Sequence, residues 1–293
     1  MDYSCQSETG TLKSVFIKRA ADAFMDNNHI NQYWQPLNFL QKPDMKFADH
    51  EYAGFESILR SHGVEIHHFP QSAMVNMDSI YCRDASICTD HGMILCNMGK
   101  VHRNQEPAAQ RKTFESNQIP ILGEIRSPGT LEGGDTAWLH ENILAVGHSY
   151  RTNQEGIRQL KELLIPAGIE VIIVDLPHYK GPSDVFHLMS ILSPVDKDLA
   201  VVYSPLMPVR FRNFLKARAY KFIEVEEKEF NSMGCNVLAL GPRNCLMVAG
   251  NSATRAALED AGCRVTEYQG KEISWKGGGG PTCLTRPILR HRD

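Results

Sequence analysis

The feature that most narrows the fold is a recurring unit in which a helical stretch, a glycine and a short apolar strand follow one another. EYAGFESILRSH meets Gly63 and then VEIHHF; NQEGIRQLKELL meets Ala167 and Gly168 and then IEVIIVD; ATRAALEDAG runs into CRVTEY. A glycine just past the last turn of a helix adopts the left-handed conformation that ends it, so each unit carries its own stop signal. Weaker copies occupy residues 107–121 and 209–225, and strands such as ENILAVG, LAVVYS, NVLALG and NCLMVAG fall between them. About five strand-rich units at a spacing of some tens of residues predict a repeat architecture, radial or solenoidal. A doubly wound sheet also alternates helices and strands. The close strand pairs SICTD with GMILCN and NVLALG with NCLMVAG favour ββαβ units in a radial arrangement, which brings loops from distant parts of the chain to one central face.

Composition removes several classes of function. A net charge of −3 over 293 residues leaves no footprint for nucleic acid or an anionic membrane. No apolar run is long enough to cross a bilayer, and MDYSCQSETG lacks the basic start and apolar core of a signal peptide, so a cytoplasmic protein is expected. The basic end around Arg286, Arg290 and Arg292 reads as a short solvated tail. None of the eight cysteines forms a C-x-x-C pair or a close cluster with histidine, which argues against structural zinc and a redox dithiol. Most read as reduced core thiols. Residues 22–43 are polar and aperiodic, and read either as a lid or as a loop that merely crosses the surface.

Five short stretches carry candidate chemistry. In WKGGGGPTCLTRP, Gly277 to Gly280 precede Pro281 and Cys283, a backbone that a substrate can approach closely and that presents the thiol. In MDSIYCRDAS, Asp78 and Asp84 stand six residues apart, on one face if the segment is a strand, where two carboxylates suit a guanidinium. Arg83 then points the other way and pairs with a surface acid. In SPGTLEGGDTAWL, the glycines beside Glu132 and Asp135 let a carboxylate turn inward to orient a histidine, although a plain tight turn looks the same. His187 lies among apolar residues in SDVFHLMSIL, on an expected strand, in the setting of the twelve histidines that most suggests a tuned pKa. In VGHSYRTNQEG, Ser149 or Thr152 caps a helix and Arg151 stands at its start, placed to clamp a carboxylate or simply to lie at the surface.

Taken in order, these stretches resemble the guanidine-modifying enzymes of the pentein fold, which include arginine deiminase, dimethylarginine dimethylaminohydrolase and the amidinotransferases. The resemblance runs from ETGTLKSVFIKR to the end of the chain and is most specific at LEGGD, GHSYRTNQEG and GGPTC. It implies a single catalytic domain over residues 1–293, folded as a pseudo-symmetric five-bladed α/β propeller of ββαβ units. It makes Cys283 the nucleophile, His187 the general acid and base, and Glu132 the carboxylate that supports the site. Asp84 and Asp78 match acids that hold the guanidinium or amino groups, with Asp135 beside them. Arg151, and more loosely Arg103, match arginines that bind an α-carboxylate.

The reaction so implied is hydrolysis of a guanidino C–N bond in arginine or an N-methylated arginine, with no metal or cofactor. A small-molecule guanidino amino acid is the expected partner, and a homo-oligomer is left open. Arginine deiminase-like members carry an aspartate two residues after the histidine, where this chain has Met189, which leans toward a substituted nitrogen. GGPTCLT is closer to arginine deiminase, and Arg83 stands where animal dimethylarginine hydrolases tend to carry an acid. Amidino transfer is the close rival. A non-catalytic propeller is the remote one, because it predicts degenerate catalytic positions.

Overall fold

Each helix–glycine–strand unit folds as the outer part of a small sheet. The computed structural model describes residues 1–292 and contains five sheets of three strands. In the first, β1 (Thr11–Ile17) leads through helices α1 (Ala20–Phe24), α2 (Asn27–Tyr33) and α3 (Met45–Ser61) to the parallel strand β2 (Glu65–His68). The next four share one topology, an antiparallel pair followed by a helix and a third strand parallel to the second. They comprise β3 (Ser86–Thr89), β4 (Gly92–Leu95), α4 (Glu106–Ser116) and β5 (Ile121–Glu124); then β6 (Thr136–His140), β7 (Ile143–His148), α5 (Gln154–Leu164) and β8 (Glu170–Asp175). The fourth holds β9 (Leu192–Asp196), β10 (Leu199–Val202), α6 (Val209–Ala217) and β11 (Lys221–Glu224). After the short helix α7 (Glu227–Phe230) come β12 (Leu238–Gly241), β13 (Asn244–Val248), α8 (Ser252–Asp260) and β14 (Arg264–Tyr268). The last strand, β15 (Thr285–His291), returns to pair antiparallel with β1, so the first sheet takes its leading strand from the other end of the chain.

The leading strands contact one another across sheets. β15 touches β3, β6 touches β9, and β12 touches both β9 and β1. Asn97 and Leu131 form a bridge between the second and third sheets, where Ile87 and Ile94 share a core with Trp138 and Leu144. Every residue of β3, β4, β10 and β12 is buried, whereas the third strands β2, β5, β8, β11 and β14 are partly exposed. Burial on both faces removes the alternation of apolar and polar residues from these four strands. Gly63 and Gly168 take φ of +73° and +74°, the helix-ending role expected of them.

Two expectations change. The basic end is not a solvated tail: Arg286 and Arg290 are buried in β15, where carbonyls of neighbouring sheets accept their guanidinium N–H groups. Only Arg292 of the three is exposed. Residues 22–43 are not one irregular loop: they include the end of α1 and all of α2, with Ala23, Phe24 and Ile30 in the core, and Leu37, Asn38 and Leu40 beyond them border a cavity. All eight cysteines are free thiols, and all but Cys283 are buried. No helix among the described residues is long and apolar enough to cross a membrane.

Candidate active site

A cavity of about 630 Å³ opens where the segments entering the leading strands converge. Asp84 lies two residues before β3, Gly134 two before β6, His187 in the turn before β9, Asn236 two before β12, and Cys283 two before β15. All five line the cavity, one from each sheet. Repetition of one topology therefore brings together residues that stand up to two hundred positions apart.

His187 and Glu132 form its buried ion pair. Glu132 precedes the 3₁₀ turn Gly133–Asp135, and its Oε2 lies 2.8 Å from His187 Nε2. Its Oε1 accepts from the backbone N–H of Lys100 at 2.9 Å. Burial alone raises a carboxyl pKa, but the hydrogen bond and charge of His187, with Arg151 and Arg103 behind them, hold Glu132 down at about 2. For His187, burial pulls downward, and the carboxylates of Asp135, Asp84 and Glu132 outweigh it, lifting the imidazole to about 9. His187 is thus an imidazolium at neutral pH. It sits at the start of the 3₁₀ turn Leu188–Ser190 rather than on a strand, its N–H donating to Ser190 Oγ at 3.1 Å. Gly134 is required beside it, since a Cβ there would lie 2.5 Å from His187 Nδ1 and 2.7 Å from Asp84 Oδ1.

Asp78 and Asp84 both face the cavity, yet not from a strand: Asp78 is in the 3₁₀ turn Met77–Ile80, tied by its N–H to Asn76 Oδ1. Asp78 is engaged by Lys100 Nζ at 2.6 Å. Asp84 accepts from the Gly134 N–H at 3.0 Å and from Arg103 Nη1 at 2.5 Å. Arg103 also donates to both Glu106 oxygens and to the Tyr81 carbonyl. Its fork is turned onto Glu106 and Asp84, so Arg103 is built to hold Asp84 rather than to receive a carboxylate, a correction to the sequence expectation. Arg83 pairs with Glu8 at 2.5 Å, and that acid is buried, not at the surface.

Arg151 is buried but incompletely used. Its Nη2 donates to the Asp184 carbonyl at 3.3 Å, and Nη1 lies 3.5 Å from Glu132 Oε1 with no hydrogen-bond partner. The helix after it is capped by Asn153, whose Oδ1 accepts from Gly156 N–H at 2.8 Å, and not by Ser149 or Thr152. Ser149 instead accepts from the N–H groups of Arg151 and Thr152 and donates to Asp135 Oδ2 at 2.6 Å. Asp135 is fully buried, and its Oδ1 accepts from Leu188 N–H at 3.0 Å. It lies behind the cavity wall and ties the Arg151 turn to the His187 turn, which corrects its assignment to substrate contact.

Cys283 is partly exposed, its sulfur 3.4 Å from Asn236 Nδ2 and 3.8 Å from Thr282 Oγ1. Burial and the charge of Asp84 push the thiol up, against the lowering effect of Thr282, Asn236 and Arg83. Of the four preceding glycines only Gly278 has positive φ, at +77°; Gly277 and Gly279 leave room for the Tyr81 ring. Ligand atoms of Asp84, Glu132 and His187 lie within 4.8 Å of one another, a spacing open to a metal. Each already has protein partners: Asp84 accepts from Arg103 and from the Gly134 N–H, and Glu132 is paired with His187. Asn236, Thr282 and Lys100 were not found from sequence; a short polar residue in a turn carries no local mark of what it will face.

The chain also resembles known proteins in sequence and fold. The chain is 27% identical over 288 residues to the uncharacterized protein YkgA of Bacillus subtilis, covering 98% of this chain and 95% of that one. It is 27% identical over 246 residues to the N(G),N(G)-dimethylarginine dimethylaminohydrolase of Pseudomonas aeruginosa, covering 84% and 90%. A structure of the Pseudomonas aeruginosa enzyme complexed with citrulline superposes with a TM-score of 0.78 at 22% identity, over 95% of this chain and all of the other, which shows a common fold. The family model described as N,N dimethylarginine dimethylhydrolase, eukaryotic, matches residues 20–290, and the chain belongs to that family.

Proposed function

We propose that this protein is a cysteine-dependent hydrolase of a guanidino C–N bond, acting on an N-methylated arginine in preference to arginine and releasing citrulline and an amine. The observation that carries the reading is the convergence of Cys283, the His187–Glu132 pair and Asp84 on one cavity. Five sheets in mutual contact support a closed, five-bladed propeller in one domain, with this cavity at one end of its axis.

A guanidinium is a resonance-stabilised cation and a poor electrophile, so attack needs a thiolate and a fixed pose. Asp84 holds the guanidinium, with Asp78 next to it, and the bound positive charge offsets the carboxylate that keeps the thiol protonated. The thiol proton passes to solvent, and sulfur bonds to the central carbon. His187, an imidazolium whose Nε2 is committed to Glu132, donates from Nδ1 to the departing amine as the C–N bond breaks. The resulting amidino-thioether on Cys283 is attacked by water, one of whose protons returns to His187; the C–S bond then breaks, and the remaining hydroxyl proton passes to the departing sulfur as the ureido carbonyl forms, which restores the Cys283 thiol. Acid–base help of this kind is worth about 10²–10⁴-fold.

Arg151, which lines the cavity, supplies the positive charge for the substrate α-carboxylate. Met189 and the aromatic rings of Tyr179, Phe186, Phe230 and Trp275 give the cavity apolar wall against which N-methyl groups lose little. The test is a colorimetric assay for ureido product with arginine, monomethylarginine and asymmetric dimethylarginine offered separately, and Cys283→Ser as the blank. Product from the methylated substrates is expected. Product from arginine alone moves the enzyme to the deiminases, and product only when an amine acceptor is added moves it to the amidinotransferases.

A further inference from the structure

We propose that Asn236 is a further catalytic residue, donating its amide N–H to the sulfur of Cys283 and stabilising the thiolate. The inference rests on the reading of Cys283 as nucleophile, but not on the identity of the substrate. Its first support is position. Asn236 stands two residues before the leading strand of the fifth sheet, as Asp84 does in the second and Cys283 in the first. It faces the same cavity, and it is the fifth sheet's contribution at that level.

The second support is the fixed orientation of the amide. Asn236 Oδ1 accepts from the Thr282 backbone N–H at 3.1 Å and from Thr282 Oγ1 at 2.8 Å. A backbone N–H only donates, so the oxygen must face Thr282 and the NH₂ group must face the sulfur, 3.4 Å away. The amide is 6% exposed and wedged against the loop: a Cβ on Gly280 would lie 2.5 Å from Asn236 Cγ. Asn236 N–H donates to the Met233 carbonyl at 3.0 Å, which fixes the backbone as well.

The third support is need. Around the sulfur, burial and Asp84 disfavour the anion, and the groups that oppose them at hydrogen-bond range are Asn236 and Thr282. The Thr282 hydroxyl hydrogen is spent on Asn236 Oδ1, which leaves the Asn236 N–H as the donor for the thiolate. An N–H bond to sulfur is much stronger when the sulfur is charged, so it favours the reactive form over the resting thiol.

The experiment measures alkylation of Cys283 by iodoacetamide across pH in the full-length protein, with the modified peptide counted by mass spectrometry and Cys283→Ser as control. It reads the thiolate without any guanidine substrate, so it stands whether or not the hydrolase reading does. The decisive variant is Asn236→Ala, which removes the donor facing sulfur and adds no charge. Its alkylation midpoint is expected to rise by about one pH unit, a tenfold loss of thiolate at fixed pH, the scale of a hydrogen bond to a charged group. Asn236→Leu, close to asparagine in volume and also uncharged, is expected to shift in the same direction, and it decides the matter if circular dichroism shows the Ala variant unfolded. A midpoint equal to wild type in the folded variant overturns the proposal, since an amide that only fills space leaves the thiol where it was.

Discussion

At the scale of single residues, the site depends on charges buried in pairs. Glu132, held at about 2 against an ordinary 4.5, contributes stability that is complete above 4.5 and lost as pH falls through about 2. His187, lifted to about 9 from 6.5, contributes stability that is complete below 6.5 and lost as pH rises through about 9. The pair's contribution is therefore flat between 4.5 and 6.5 and declines on both sides. A ring-resonance titration of His187 by NMR is expected to show a midpoint near 9, and, on the proposed mechanism, turnover falls over the same alkaline range as the proposed general acid is deprotonated. A midpoint at or below 6.5 would mean that the three carboxylates around the ring do not govern its charge. His187 and Cys283 were legible in the sequence because their neighbours mark them, an apolar run in one case and four glycines in the other. Asn236 was not, because its partner Cys283 lies 47 residues away and only the return of the chain joins them.

At the scale of elements, the candidate catalytic side chains are held by short turns cross-linked through buried polar groups. The expectation of strands around Asp84 and His187 failed because both stand in turns just before strands, the Asp84 N–H donating to the Tyr81 carbonyl and the His187 N–H to Ser190 Oγ. The expectation of Ser149 or Thr152 as a cap failed for a related reason. Ser149 closes a turn that begins before the helix, and Asn153, nearer the helix, takes the cap. Ser149 is the junction between the Arg151 turn and Asp135, and Asp135 in turn holds the Leu188 N–H. Ser149→Ala leaves that buried carboxylate short of a donor. The expected loss is about 1–3 kcal/mol in urea unfolding, with a fall in kcat as the His187 turn loosens. A loss below about 0.5 kcal/mol, the level of an ordinary surface substitution, would show that the three turns are held independently.

At the scale of the whole molecule, the helix–glycine–strand period foretold five units but not how the first and last are joined. That closure is made by β15, which supplies the leading strand of a sheet whose other strands lie near the N-terminus, in register from Thr11 opposite His291 to Ile17 opposite Thr285. No local pattern announces so long a return, and the arginines that make it possible looked like a tail. Arg290 Nη1 donates to the carbonyls of Gly10 at 2.6 Å and Ala239 at 2.8 Å, joining the first sheet to the fifth, and Arg286 Nη1 donates to the Ser86 carbonyl at 2.6 Å, joining the first to the second. Ser4 pairs with the same strand through its N–H and carbonyl. Ending the chain after Leu284 would keep every candidate catalytic residue and remove this closure. It would leave β1 with an unpaired edge and three sheets with buried carbonyls lacking donors. The truncated protein is expected to show no cooperative urea transition and to lose near-ultraviolet circular dichroism, because a stability of about 5–15 kcal/mol cannot absorb the loss of a strand that joins three sheets. A cooperative transition with an unchanged m-value would mean that the remaining sheets form a stable unit without closure, and the propeller reading would have to give way to an open array of sheets.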